Sequence, residues 1–315
     1  MLRLKKITTI IVTAVMLAGC VNTKQQQQNT SDHVSQNDKY KGNLEIVIAD
    51  VKQAQIHNKL KDTTQINHLL DGFEKMHVDG VRITIFGEEV NPNPKMFDYL
   101  YHEARRRDFK IFANPALWEG ARRIVNRINK GKNTGQKVLG DSQATDILVE
   151  RILKFSKEYP VDWICPFNED GKPGQYWTAT QISETYQRLA ENNIKAELIG
   201  PCTWGVGSGT KILNKTNIKD YISVATTHNL GFEHNKWSKF LKSAKGLKVW
   251  DSETNMNKKY EEKDIRIDAA MKAGVNGLVL YDSWTGIDLT TGNLNAVGEQ
   301  WVEKYLKQDT SVSKI

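Results

Sequence analysis

The chain has 315 residues, 39% hydrophobic and 26% charged, which is enough apolar material for one large domain or two smaller ones and excludes collagen, a coiled coil or general disorder. Lys and Arg number 44 against 37 Asp and Glu, a formal charge of +7, but Arg3, Lys5 and Lys6 crowd the first six residues, and without them the balance is +4. That excess is too mild to argue for a nucleic-acid partner.

The N-terminus reads as an export signal: basic MLRLKK, then apolar ITTIIVTAVMLAG, too short for a comfortable membrane span, then Leu17-Ala18-Gly19-Cys20. Those last four residues resemble the bacterial lipobox. The resemblance implies removal of residues 1–19, acylation of Cys20 by palmitate-type chains and a lipoprotein held at the bacterial cell envelope. Val21 after the cysteine resembles outer-membrane sorting where an outer membrane exists. Several acyl chains bury enough CH₂ groups for stable anchoring. The alternative is an ordinary cleavable signal with an incidental cysteine. Residues 20–43 hold almost no large apolar side chains, so they cannot offset the entropy of ordering and read as a tether. The remaining cysteines, Cys165 and Cys202, fall in strand-like runs and are expected as buried free thiols.

From residue 44 the chain alternates short runs rich in Val, Ile and Tyr with longer amphipathic stretches, the pattern of βα units with parallel strands. Strand runs fall at 44–50, 80–86, 110–117, 162–169, 196–203, 222–229, 247–255 and 277–284. Helical stretches lie at 63–77, 95–107, 144–158, 178–192, 260–273 and 294–306. Eight strands with helix-sized connections predict the α/β class, as a single (β/α)₈ TIM barrel over 44–308 with a short tail at 309–315. A doubly wound sheet would carry a Gly-rich turn after its first strand, and Asp50-Val51-Lys52-Gln53 has no glycine.

In such a barrel the βα loops at the C-terminal strand ends build the pocket, and polar residues collect there. Strand two carries Arg82, strand three ends in Asn114 and runs into Trp118, and strand four ends in Asn168-Glu169-Asp170. Trp204 follows strand five, His228-Asn229 ends strand six, Asp251-Ser252-Glu253 ends strand seven, and Asp282 and Trp284 end strand eight. Side chains alternate along a strand, so Cys165, Phe167 and Glu169 are expected on one face, as are Val249, Asp251 and Glu253.

Asn168-Glu169, within Cys165-Pro166-Phe167-Asn168-Glu169, and Ser252-Glu253, within Trp250-Asp251-Ser252-Glu253, resemble the signature of the clan A glycoside hydrolases. In motif the segments look most like family 30. Asp170 departs from that family, standing where a Pro is usual, and no residues remain for its side β-sandwich. The resemblance covers the barrel in architecture and only short segments in motif. It implies a retaining mechanism with Glu169 as acid/base and Glu253 as nucleophile. It further implies Asn168 on the sugar 2-hydroxyl, Arg82 orienting the nucleophile, His228 reaching toward it and Trp284 as a stacking floor. The chemistry asks for the same pair, since a retaining glycosidase needs two carboxyl groups about 5 Å apart, one protonated and one ionised.

Eight tryptophans, several at predicted strand ends, favour a carbohydrate surface, with Trp118, Trp204 and Asn114 as further sugar contacts; barrel-rim packing is the competing reading for the two tryptophans. Asp170 and Asp251 are read as supporting groups. His57, His68, His77, His102 and His234 show no metal-ligand spacing, so neither a catalytic metal nor a cofactor is expected. The connection from Glu119 to Gly140 carries Arg122, Arg123, Arg127, Lys130, Lys132 and Lys137; it would suit an anionic glycan or simply be a solvated basic face. The reading is therefore a lipid-anchored, monomeric retaining β-glycosidase acting on a polysaccharide or oligosaccharide. Its alternative is a glycan-binding surface lipoprotein without turnover. A barrel aldolase or lyase is disfavoured because no strand run ends in lysine.

Overall fold

Strands buried on both faces need apolar side chains at nearly every position, and the eight predicted runs supply them. In the computed structural model they form β1 (Ile46–Asp50), β2 (Gly80–Ile85), β3 (Lys110–Pro115), β4 (Trp163–Ile164), β5 (Glu197–Thr203), β6 (Val224–Thr227), β7 (Lys248–Thr254) and β8 (Gly277–Leu280). These pair in sequence order, all parallel, and β8 returns to β1 to close the barrel. The fold is a (β/α)₈ barrel. The structure describes residues 44–52, 54–86, 91–115, 120–125, 138–254 and 266–306; the signal segment, Cys20, the tether, Trp118, the basic residues from Arg127 to Lys137 and the C-terminal tail lie outside them.

Helices between the strands are α1 (Ala54–Lys59), α2 (Thr63–Lys75), α3 (Pro94–Arg106), α4 (Gly120–Val125), α5 (Ser142–Glu158), α6 (Ala179–Glu191), α7 (Val206–Lys215), α8 (Trp237–Ala244) and α9 (Arg266–Ala273), with α10 (Ala296–Leu306) after β8. Their starts follow local chemistry. Asp62 accepts from the Gln65 amide, Asn93 caps a helix with Pro94 in its first turn, and Thr178 and Gln181 cap one another's backbone at α6. Helices α7 and α8 fall in stretches that the helical pattern did not pick out; each nonetheless lays an apolar stripe on the barrel, through Val206, Ile212 and Leu213 and through Trp237 and Phe240. Packing between neighbouring strands is close enough to require glycine at Gly277, the first residue of β8, where a Cβ would lie 2.5 Å from the Trp250 ring on β7.

Three strand expectations are corrected. Only Trp163 and Ile164 of the run 162–169 join the ladder, and Glu169 sits at φ 58, so alternation along a strand does not place its side chain. Segment 165–169 is instead pinned one bond at a time: Cys165 N–H donates to Ala113 O at 3.1 Å, Asn168 N–H to the Asp170 carboxylate at 2.8 Å and Glu169 N–H to Cys202 O at 2.9 Å. At β7 the register against β8 shifts between Asp251 and Thr254, so the side chain of Glu253 is set by an irregularity. Strand β8 stops at Leu280, and Trp284 belongs to a single 3-10 turn, Ser283–Gly286, entered through Asp282 at φ 55.

Candidate active site

Asp50, Lys52, Arg82, Asn114, Asn168, His228, Ser252 and Glu253 are all buried, polar and gathered at the C-terminal ends of β1, β2, β3, β4, β6 and β7. Groups of this kind remain buried only if bonded to one another. Arg82 is the hinge of the network. Its Nε donates to Asp50 Oδ1 at 2.8 Å, and its Nη1 donates to Glu253 Oε2 at 3.0 Å and to Ser252 O at 3.0 Å. On the same carboxylate oxygen lie Lys52 Nζ at 3.2 Å and His228 Nε2 at 3.5 Å.

Asn168 is fixed from three sides. Its Oδ1 accepts from Asn114 Nδ2 at 2.8 Å and Lys52 Nζ at 3.1 Å, with His228 Nε2 at 3.3 Å. An oxygen facing an ammonium settles the amide orientation. The neighbours of His228 settle its tautomer likewise. Nε2 faces only acceptors and carries the proton, and Nδ1 accepts from the Ser252 hydroxyl at 2.9 Å. Burial lowers the His228 imidazole to about 3, so it is neutral near pH 7.

Glu169 and Glu253 meet across this network. One carboxyl oxygen from each and a ring nitrogen of His228 lie within 4.8 Å of one another. Their environments push the two acids in opposite directions. Burial, reinforced by the charge of Glu253, raises Glu169 to about 7. Burial also opposes ionisation of Glu253, but the ammonium of Lys52 and the guanidinium of Arg82 outweigh it and hold this carboxyl well below the usual range. Near pH 6 one acid is therefore protonated and its neighbour ionised. The three ligand atoms would also suit a cation, yet Glu253 is already neutralised by two cationic side chains that a metal would have to displace. That charge balance is a sounder argument against a metal than histidine spacing, which folding overrides.

Asp170 sits where the resemblance expects proline, and its role is visible. The buried carboxylate accepts from the amides of Asn168, Ala121 and Arg122 and from Trp177 Nε1, at 2.8–3.2 Å, tying the Asn-Glu segment to the start of α4. Burial still raises it to about 6. Asn114 is fully buried, with its amide donated to Asn168. The Trp284 indole is 8% exposed, with Nε1 donating to Asp282 Oδ1 at 3.1 Å and the Lys59 ammonium 4.6 Å from its ring centre. Trp204 is half exposed after β5, its ring over Gly231, where a Cβ would approach to 2.7 Å. Arg122 stacks its guanidinium 4.4 Å over the Tyr176 ring. Cys165 and Cys202 are buried free thiols, as expected.

Two site residues were not anticipated. Lys52 lies two residues beyond β1 with its side chain 4% exposed: no strand ends in lysine, as expected, yet the chain just past the first strand brings one into the mouth, which that expectation did not consider. Asp50, the last residue of β1, anchors Arg82. The strand-end rule, applied to strands two to eight, finds both when applied to strand one. Phe232, exposed at φ 53 with Arg266 5.1 Å from its ring, carried no such signal.

No protein-family model matches the sequence, and a comparison with curated proteins finds no match. Solved structures do match along most of the chain. A family 5, subfamily 18 glycoside hydrolase from Streptomyces cattleya, in complex with Manβ1-4GlcNAc, aligns at 13% identity and a TM-score of 0.58, covering 84% of this chain and 81% of that one. An endo-1,4-β-mannanase from Rhizomucor miehei aligns at 10% identity and 0.56, covering 78% and 89%. A family 113 β-1,4-mannanase aligns at 10% identity and 0.52, covering 85% and 99%. At 10–13% identity these superpositions show a shared fold, the (β/α)₈ barrel, and no more than that.

Proposed function

We propose that this chain is a retaining β-glycosidase of clan A type, with Glu169 as acid/base and Glu253 as nucleophile. The observation that carries the reading is the carboxyl pair: oxygens within 4.8 Å, one acid raised to about 7 and its neighbour held ionised. Retaining enzymes require about 5 Å between such groups, whereas inverting enzymes leave ~6.5–9.5 Å for a water. Glu253 attacks the anomeric carbon as Glu169 gives its proton to the departing oxygen. Water, deprotonated by Glu169, then cleaves the glycosyl ester and returns the electron pair to Glu253. Asn168, held by three donors, presents its amide to the sugar 2-hydroxyl, a bond that strengthens as the ring approaches an oxocarbenium ion.

Trp204 is the exposed aromatic that best suits a sugar face, and Trp284 needs Lys59 to yield before its ring is open. The lipobox-like Leu17-Ala18-Gly19-Cys20 supports an envelope-anchored enzyme whose substrate is an external polysaccharide or oligosaccharide. Lys52 Nζ is engaged as a donor to Glu253 and Asn168, whereas imine formation needs an amine free to attack a carbonyl carbon, so the aldolase reading gains nothing from this lysine.

Protein beginning near Lys41, incubated with β-mannans first and then other neutral and acidic polysaccharides, tests the reading through new reducing ends. Release by the wild type and not by Glu169→Gln/Glu253→Gln is the expected result. Binding without release from any member would replace the enzyme by a glycan-binding protein.

A further inference from the structure

The nucleophile assigned above has two cations on one oxygen, and they are not equivalent. Arg82 divides its guanidinium between Asp50 and Glu253. Lys52 meets a single carboxylate among the described residues, Glu253, and spends its other bond on Asn168. Its backbone is fixed as firmly: Lys52 N–H donates to Asp50 Oδ1 at 3.1 Å, and Lys52 O accepts from the Thr84 hydroxyl. A long side chain anchored at both ends and 4% exposed is held in one geometry.

Charge bookkeeping in this pocket changes during the reaction. With Glu253 ionised, Asp50 and Glu253 balance Lys52 and Arg82. When Glu253 Oε1 bonds to the anomeric carbon and the leaving-group bond breaks, the carboxylate becomes a neutral ester. Arg82 keeps Asp50, but Lys52 is left as a buried cation without its anion. Hydrolysis of the ester by water, with a proton passing to Glu169, restores the carboxylate and the ion pair. A charge placed this way opposes the first step and favours the second.

Resting on the glycosidase reading, we infer that Lys52 is a positioning residue that clamps Glu253 Oε2 to Asn168, reserves Oε1 for attack and drives release of the carboxylate from the glycosyl-enzyme. Every hydrogen bond and ion pair to the Glu253 carboxylate among the described residues falls on Oε2, which leaves Oε1 as the reacting oxygen.

The test uses Lys52→Met and Lys52→Arg with a dinitrophenyl glycoside of the sugar that the wild type releases. Lys52→Met is expected to show a pre-steady-state burst and a glycosyl-enzyme visible by intact mass. Its deglycosylation should slow about ten- to a hundredfold, the worth of a charged hydrogen bond. kcat and KM should fall together, azide should restore turnover, and Lys52→Arg should recover the wild-type partition. A folded Lys52→Met with no burst, or with glycosylation slowed instead, overturns the inference. If Lys52→Met does not fold, Lys52→Gln takes its place, and failure of both makes the residue structural. A wild type that cleaves nothing in the polysaccharide panel removes the glycosidase reading and this one together, whereas turnover with an unchanged partition removes this one alone.

Discussion

The same side chain occurs at the end of β4 and at the end of β7, and the two sites make opposite acids of it. Glu169 takes no hydrogen bond to its carboxyl among the described residues, sits in a backbone that has left the ladder, and is raised to about 7 by burial and by the charge opposite. Glu253 is deeper, yet two cations and a histidine crowd one of its oxygens and keep it ionised. Burial alone therefore does not set an acid's role; what the burial contains does.

The comparison breaks most sharply at Glu253. Glu253→Ala is expected to remove turnover on every substrate, and azide in the vacated space should restore part of it with inverted product, read by NMR of the first-formed anomer. Absence of rescue would detach the nucleophile role from this residue. Glu169→Ala should cost about 10²–10⁴-fold on natural leaving groups and little on activated aryl glycosides, because only the former need a proton. Equal losses on both substrates would make the two acids alike.

Arg82→Met probes the cationic side alone. It takes the buried guanidinium from Asp50 and leaves Glu253 to Lys52, and a loss of ~3–5 kcal/mol is expected in chemical denaturation. The smallest effect concerns pH. The raised Glu169 carboxyl adds stability that is complete below its unfolded value of 4.5 and lost as pH rises through about 7. Glu169→Gln should accordingly be more stable than wild type by on the order of 2 kcal/mol at pH 9 and nearly equal at pH 4, measured by urea unfolding. Activity should decline through the same alkaline range while the acid side stays flat, since Glu253 keeps its charge at low pH.

The barrel was legible because eight buried parallel strands leave an apolar record that side-chain contacts elsewhere do not blur. The strand-end rule drew a wide ring of polar residues, the clan A resemblance singled out Arg82, Asn168, Glu169, His228 and Glu253 from it, and the structure brings these five together. Asp50 and Lys52 escaped because the strand-end rule began at strand two, although Lys52 reaches the mouth from only two residues past β1. The alternation argument at β4 aimed Glu169 at the mouth by a route the backbone does not follow: Asp170, Cys202 and a positive φ determine the segment, and no periodicity encodes them. Helices α7 and α8 are short and begin without a side-chain cap, so their starts carry no local signature.

A closed cylinder has no edge, but it does have a thinnest stave. Strand β4 lends only Trp163 and Ile164 to its neighbours, whereas β2 and β3 run together along their whole length. The wall is mended there by Asp170 gripping three amides and an indole. Heat or denaturant should part the barrel along this seam first, so that amide exchange at 165–170 rises and catalysis fails while the remaining strands are still closed.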